Sequence, residues 1–264
     1  MKRIEEKFST LAAKNEKALI VYLTAGDPSL DITRKLIFAL EKAGADILEI
    51  GVPFSDPTAD GPVIQAASQR SLKAGTTLEG VLKMVADVRK VSEIPIVLFG
   101  YFNPILAYGV KKFAHAARNA GVDGVLVVDL PYEEASELRN YTDVAGIDFI
   151  SLIAPTTDVK RLRPITAHAS GFLYYISITG ITGTAAPKIG NIKTEVEKIH
   201  KITNLPIAVG FGISQPSQAR EIGRFADGVV IGSAVVRLID ENKNKRNLLA
   251  IVSGYIKNIK KELR

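Results

Sequence analysis

The sequence contains no cysteine and no tryptophan, and only three histidines among its 264 residues. Without cysteine there can be no disulfide framework, no thiolate metal site and no cysteine nucleophile. No uncharged run approaches the ~20 apolar residues that a membrane-spanning helix needs. The first seven residues alternate in charge where a signal peptide would carry an apolar stretch. We therefore expect a soluble, cytoplasmic protein.

Positive charge is in modest excess, with a formal net charge of +6. The lysines are spread along predicted helices and are not gathered with aromatic residues, so the pattern does not favour a nucleic-acid-binding protein. The densest basic run, at residues 257–261, lies on a predicted terminal helix and is typical of a solvated face. A small anionic substrate would suit this charge balance.

Eight short apolar segments recur along the chain, each followed by a helix-like stretch. They occupy residues 19–24, 46–51, 95–100, 124–129, 148–153, 172–177, 206–211 and 227–232. Near-continuous apolar runs are typical of strands that are covered on both faces, as in a parallel sheet. This alternation predicts an α/β fold, a (β/α)8 TIM barrel that forms one domain over residues 1–264. The alternative is an open doubly wound sheet, which usually has fewer strands.

Two additions to the repeat are predicted. Ile4, Phe8 and Leu11 form an apolar stripe that indicates an extra N-terminal helix over the barrel floor. The second and third strands begin 49 residues apart, at residues 46 and 95, and the interval includes a polar loop and two helical stretches, 63–73 and 78–91. The pattern therefore predicts an extra helix between strands 2 and 3, on the side of the barrel where active sites are built.

A short phrase with glycine and aspartate precedes several strands. Gly44, Gly121 and Gly146 each stand two residues before an aspartate that leads into a strand. Glycine at this place is typical of a helix that ends in the left-handed conformation. We interpret the repeat as architectural and not as catalytic.

The reactive side chains at the predicted strand ends are few. His115, His168 and His200 all fall in helix-like stretches, so we predict neither a metal site nor a histidine base. None of the eight strands contains a lysine, which argues against a Schiff-base nucleophile. The serines have no histidine in range that could activate them. Carboxylates are the remaining candidates.

Glu49 stands inside an otherwise apolar strand, where it alternates with Ile47 and Gly51. The period of two places these three on one face, so Glu49 is expected to point into the barrel mouth. Burial raises the pKa of such a carboxyl and suits it to general acid–base work. The alternative is a structural ion pair, but no strand offers a nearby lysine or arginine.

Other carboxylates are less distinctive on their own. Asp56 and Asp60 lie in the loop 51–62, where Asp-Pro and Asp-Gly are also ordinary turn signals. Asp129 ends the fourth strand, and we favour a structural role for it.

Glycine-rich turns follow the last strands. Gly210 and Gly212 end the seventh strand, and Gly232 and Ser233 precede the helical stretch 234–239. Close backbone approach and a helix N-terminus together suit a phosphate group. A third glycine-rich stretch, residues 179–187, has the composition of a lid, or of a simple flexible loop.

Five segments together resemble the alpha chain of tryptophan synthase. They are LEIGVPFSDPTADGP at 48–62, TAGDP at 24–28, YFNP at 101–104, GITG at 180–183 and GFGIS at 210–214. The first is highly specific, and the others follow in the order of the family, so the resemblance covers essentially the whole chain.

The resemblance implies a lyase that splits indole-3-glycerol phosphate into indole and glyceraldehyde 3-phosphate. By position, Glu49 is the proton-transfer residue and Asp60 the partner of the indole N–H. Retro-aldol cleavage needs an electron sink, usually a lysine Schiff base or a metal, and the strand ends offer neither. The protonated indole ring can take that part.

Substrate contacts are also implied by position. They fall on Tyr22, Phe99, Tyr174, Thr182, Gly183, Phe211, Gly212, Gly232 and Ser233, with no metal ligand among them. The spacing to residues 182–183 selects Tyr174 over Tyr175. Leu98, Leu126 and Ile153 are further candidates for the indole pocket, with core packing as the competing role.

The family pairs each alpha chain with a beta chain in an alpha2beta2 heterotetramer that makes L-tryptophan. The resemblance implies no cofactor in the alpha chain, since pyridoxal phosphate belongs to the beta chain. It also implies that residues 53–62 and 101–106 face this partner, and neither a nucleic acid nor a membrane is expected as a partner.

Two alternatives differ in chemistry. Another phosphosugar barrel, such as a cyclase or isomerase of histidine biosynthesis, would typically use paired aspartates at opposite strand ends. Here only Asp129 ends a strand as a carboxylate. A non-catalytic phosphate-binding subunit would have no use for both Glu49 and Asp60.

Overall fold

A computed structural model of the chain describes residues 2–176, 189–210 and 212–264. In these ranges nine strands form one parallel sheet: β1 (Ala18–Thr24), β2 (Ile47–Gly51), β3 (Ile96–Gly100), β4 (Gly124–Val127), β5 (Asp148–Phe149), β6 (Ser151–Ile153), β7 (Leu173–Ile176), β8 (Ile207–Gly210) and β9 (Gly228–Ile231). The two edge strands, β5 and β6, are separated only by Ile150, so the sheet curls into a nearly closed barrel. The predicted (β/α)8 barrel is confirmed.

The predicted fifth strand differs in one detail. It is interrupted at Ile150, because its first part pairs with β4 and its second part with β7. The segment changes partner at this point, and the N–H of Ile150 still donates to the carbonyl of Val125 at 2.9 Å.

Twelve α-helices surround the barrel in the described ranges: α1 (Arg3–Ala13), α2 (Leu30–Ala43), α3 (Pro62–Lys73), α4 (Leu78–Arg89), α5 (Phe102–Tyr108), α6 (Val110–Ala120), α7 (Ser136–Ala145), α8 (Val159–His168), α9 (Ile189–His200), α10 (Pro216–Gly223), α11 (Ser233–Asn242) and α12 (Leu248–Lys260). Helix α3 is the predicted addition between the second and third strands. Helix α5 is an addition that the sequence pattern did not predict, since its two turns are too short to show a period and contain Pro104. No helix of the described chain is long and apolar enough to cross a bilayer.

Two apolar layers position the site. An outer layer packs the sheet against the ring of helices, and an inner cluster fills the barrel. Helix α1 closes the floor with the predicted stripe, as Ile4, Phe8 and Leu11 join the inner cluster. The rings of Phe8 and Phe172 lie 5.7 Å apart. Full burial of one such side chain stabilises the fold by about 1.5–3 kcal/mol.

The repeated glycine–aspartate phrase is architectural, as predicted. Gly44, Gly121 and Gly146 end their helices at φ values of 105°, 82° and 68°, where glycine has no steric cost. The aspartates then join neighbouring strands at the floor. Asp46 accepts the N–H of Leu19 at 2.8 Å, and Asp123 accepts that of Ile96 at 2.9 Å.

Candidate functional site

A cavity of about 140 Å³ opens at the C-terminal ends of the strands. Its wall includes Glu49, Asp60, Tyr22, Phe99 and Tyr174. In the described ranges no lysine, arginine or histidine lines it. The cavity is therefore an apolar space with two carboxyl groups and no countercharge on its described wall.

Glu49 lies in this cavity because the alternation along β2 turns it inward, opposite Tyr22 of β1 in the strand register. Only 1% of its surface is exposed. Its Oε1 has no hydrogen-bond partner among the described residues, so the predicted alternative of an ion pair is not seen there. Burial raises the pKa of Glu49 to about 8, and the side chain is protonated at neutral pH.

Asp60 reaches the same cavity from the loop between β2 and α3. The hydroxyl of Tyr101 donates to Asp60 Oδ2 at 3.0 Å and accepts the N–H of Ala59 at 3.0 Å, which anchors the loop. Burial raises the pKa of Asp60 to about 6, and the hydrogen bond from Tyr101 opposes that rise. Asp60 is therefore mostly ionised at neutral pH, while Glu49 retains its proton.

Two tyrosines, Tyr22 and Tyr174, line the cavity, each over a glycine of the next strand. A Cβ on Gly51 would lie 2.1 Å from the Tyr22 hydroxyl oxygen, and a Cβ on Gly210 would lie 2.2 Å from that of Tyr174. The rings have room only because these positions carry no side chain. The ring of Phe99 meets that of Tyr22 edge-on at 5.2 Å.

The far end of the cavity is formed by Gly212, Gly232 and Ser233. Helix α11 begins at Ser233, so its free backbone N–H groups stand at the cavity edge. Gly212 has a φ of 78°, which favours glycine at this turn. This end can hold an anion through backbone N–H groups and the helix dipole.

The other predicted site residues divide into four groups. Tyr174 lines the cavity, whereas Tyr175 packs in the outer layer. Leu98 and Ile153 were wrong as pocket candidates, since they too pack outward in the helix-facing layer. Leu126 belongs to the inner cluster but does not line the cavity. Thr182, Gly183, Phe211 and the predicted lid at 179–187 lie outside the described residues.

Sequence reasoning missed some members of the site. Tyr101 was assigned only to the partner-facing segment, and Ile64, Val128 and Leu152 were not assigned at all, although all three line the cavity. The alternation along the strand could have identified Leu152, because its neighbour Ile153 must face the other way. The contact of Tyr101 with Asp60 spans 41 residues and has no local signal.

The other polar groups that the sequence singled out, where the structure describes them, do not line this cavity. Asp129 accepts the N–H of Phe102 at 2.8 Å and so begins α5, the structural role that was favoured. The three histidines lie on helices as predicted. In the described ranges no three His, Asp or Glu side chains are arranged to hold a metal ion. A larger groove of about 1110 Å³ lies beside α1 at the floor, away from both carboxyl groups.

Comparison with known proteins identifies this arrangement. The family profile for the tryptophan synthase alpha chain matches residues 8–264. The chain belongs to the tryptophan synthase alpha chain family. It is accordingly a lyase of the tryptophan synthase complex that acts in tryptophan biosynthesis, and membership implies a beta-subunit partner.

Relatives in sequence and structure agree with this assignment. The tryptophan synthase alpha chain of Citrifermentans bemidjiense is 48% identical over 260 residues, which cover 98% of this chain and 97% of that protein. That of Geotalea uraniireducens is 49% identical over the same coverage. Among solved structures, the alpha subunit from Legionella pneumophila superposes with a TM-score of 0.93 at 39% identity, covering 100% and 98% of the two chains.

Proposed function

We propose that this alpha chain cleaves indole-3-glycerol phosphate to indole and glyceraldehyde 3-phosphate, with Glu49 and Asp60 as its catalytic residues. The observation that carries the proposal is the pair of buried carboxyl groups with different charge states in one apolar cavity. One group can give a proton while the other stabilises a positive charge.

Glu49 transfers two protons, one in each of two steps. Its carboxylic acid protonates carbon 3 of the indole ring, which becomes iminium-like, and Asp60 accepts the ring N–H. The resulting Glu49 carboxylate then takes the proton of the side-chain hydroxyl. The carbon–carbon bond breaks, its electron pair neutralises the ring, and the C–O bond becomes the aldehyde. Glu49 ends as it began.

The remaining predicted contacts hold the substrate around these two groups. Tyr22, Phe99 and Tyr174 enclose the indole and the reacting carbon. Gly212, Gly232 and Ser233 hold the phosphate at the start of α11, with Thr182, Gly183 and Phe211 assigned to the substrate by resemblance alone. A cavity with an apolar middle and an anion-binding end supports this orientation.

The partner and setting follow the same proposal. The chain acts as one domain over residues 1–264 in the cytoplasm, within an alpha2beta2 heterotetramer, with no cofactor of its own and pyridoxal phosphate in the beta subunit. It binds neither nucleic acid nor membrane. The loop 53–62 and residues 101–106 face the beta subunit. The rings of Phe54 and Tyr101 connect these two segments at 5.2 Å, and Leu106 is 54% exposed.

A direct assay tests the reaction. Purified chain is mixed with indole-3-glycerol phosphate, and indole release is followed with and without a pyridoxal-phosphate beta subunit and serine. We expect indole from the alpha chain alone and tryptophan from the pair. A chain that binds the substrate but releases no indole in either mixture would contradict the proposal and favour a non-catalytic phosphate-binding subunit.

A further inference from the structure

The hydroxyl group of Tyr22 is a polar group in the cavity that the proposed mechanism does not use. Only 5% of Tyr22 is exposed. An indole pocket needs the ring of this residue and not its hydroxyl, since a buried hydroxyl without a partner costs free energy. The contacts around the hydroxyl indicate why it is there.

In one contact the oxygen of this hydroxyl group accepts a hydrogen bond. Thr24, two residues further along β1, donates its hydroxyl hydrogen to Tyr22 Oη at 3.4 Å. Gly51 lets the oxygen lie directly over β2. No residue in the described ranges accepts the hydrogen of the Tyr22 hydroxyl, so this hydrogen is available to a group in the cavity.

Two carboxyl groups share the cavity with this hydrogen. Asp60 has the stronger electrostatic effect on Tyr22, and Glu49 the weaker. Glu49 is protonated at neutral pH and is the poorer acceptor, whereas Asp60 is ionised. Tyr101 donates to Asp60 Oδ2, and no described residue donates to Oδ1. A carboxylate can accept up to about four hydrogen bonds.

We propose that Tyr22 is a positioning residue whose hydroxyl, oriented by Thr24, is a second hydrogen-bond donor to Asp60 when the substrate fills the cavity. Water leaves the cavity at that moment, and the carboxylate that faces the indole N–H then depends on protein donors. Tyr101 and Tyr22 hold it from two sides in its ionised form. The inference deepens the proposed function and depends on it.

The charge state of Asp60 depends on the groups that face it. They are Tyr101 at the end of β3, Tyr22 on β1, Glu49 on β2 and Tyr174 on β7, with no cation in the described wall. Cleavage requires ionised Asp60 and protonated Glu49. The rate should therefore fall on the acid side near the pKa of Asp60 and on the alkaline side near the pKa of Glu49.

The test is the pH dependence of kcat for indole-3-glycerol phosphate between pH 5 and 9, because kcat reports the pKa values of groups in the substrate complex. Tyr22→Phe keeps the ring and should move the acid limb upward by about one pH unit, which is about tenfold in rate at pH 5 and little change at pH 8. Thr24→Val should move the same limb in the same direction by less, and it decides the question if Tyr22→Phe does not fold. Tyr175→Phe, which removes a buried hydroxyl outside the cavity, is the matched control and should leave both limbs in place.

A readout without turnover separates the two proposals. The carboxyl carbon of Asp60 is titrated by NMR in complex with 3-(indol-3-yl)propyl phosphate, which cannot be cleaved. Tyr22→Phe should raise the pKa of Asp60 in this complex. An unmoved acid limb and an unchanged titration, or a shift of the alkaline limb alone, would overturn the role of Tyr22. If the natural chain releases no indole, the proposed function fails, and the titration still decides whether Tyr22 donates to Asp60.

Discussion

Buried carboxyl groups at the two ends of the barrel differ in the partners that they have. At the floor, Asp46 accepts the N–H of Leu19 at 2.8 Å and the ammonium of Lys260 at 2.7 Å. Asp123 accepts hydrogen bonds from Arg3, Arg89 and the N–H of Ile96, each within 3.0 Å. At the mouth, Glu49 Oε1 has no described partner, and Asp60 has the hydroxyl of Tyr101.

The difference shows what each end is built to do. Partners at the floor offset the cost of burial and connect neighbouring strands, although burial still raises the pKa of Asp123. At the mouth the cost remains, because a partner would hold the proton or the charge that the reaction has to move. Carboxyl groups whose pKa is strongly perturbed are common at functional sites.

Removing the acid of Glu49 is the change at the mouth with the largest expected effect. Glu49→Gln keeps the shape of the side chain but cannot transfer a proton, so the cleavage rate should fall by about 10²–10⁴. Binding of a phosphate-bearing analogue should be largely retained, as measured by calorimetry. Glu134→Gln, at an exposed position, is the control. A Glu49→Gln variant with near-normal indole release would remove Glu49 from the mechanism.

The corresponding change at the floor should affect stability and not turnover. Lys260 is 4% exposed and also donates to the carbonyl of Lys17 at 3.0 Å. Lys260→Met leaves Asp46 buried without its cation, which should lower the free energy of unfolding by about 3–5 kcal/mol. Urea unfolding measures this loss. Lys257→Met, on the exposed face of the same helix, should change the free energy by less than about 0.5 kcal/mol. Equal stabilities of the two variants would show that the floor pair contributes nothing.

The buried acid at the mouth, Glu49, can also be tested by the pH dependence of stability. The pKa of Glu49 is about 8 in the fold against an ordinary value of 4.5 for a solvated glutamate, so the folded state binds the proton more tightly than the unfolded chain. The contribution of Glu49 to the free energy of unfolding is fully present below pH 4.5. It falls by on the order of a few kcal/mol as the pH rises from 4.5 to 8. Glu49→Gln removes the dependence and should gain stability relative to the natural chain across that window. Parallel urea midpoints for the two proteins from pH 5 to 8 would contradict the burial of an unpaired acid.

The sequence alone predicts only part of this difference between the mouth and the floor. Alternation along one strand was enough to turn Glu49 inward, because side-chain direction in a strand is a local property. The same rule, applied to Leu98 and Ile153, would have excluded them, since Phe99 and Leu152 beside them face the cavity. The strand–helix repeat likewise predicted the barrel, because the apolar pattern within each strand–helix unit indicates how that unit packs.

What could not be predicted depends on distant contacts. Tyr101 reaches Asp60 across 41 residues, and Lys260 reaches Asp46 across 214. No local pattern in the chain indicates either partner, because closure of the barrel alone brings them together. The assignments of Thr182, Gly183 and Phe211 stay predictions, since they lie outside the described residues.

The smallest expected effect concerns a neutral version of the floor contact. Ser170 Oγ accepts the N–H of Phe149 at 2.9 Å, at the place where Asp227 accepts the N–H of Ile207 at 2.9 Å on another strand pair. Ser170→Ala leaves one backbone N–H without its acceptor and should lower the free energy of unfolding by about 1 kcal/mol. The hydroxyl group of Ser170 also hydrogen-bonds Asp148 and lowers the pKa of that carboxyl, which burial raises. The loss should therefore be larger at pH 8, where Asp148 is ionised, than at pH 4, and urea unfolding at the two pH values measures the difference. Equal losses would show that Ser170 acts only on the N–H of Phe149, without the acid beside it.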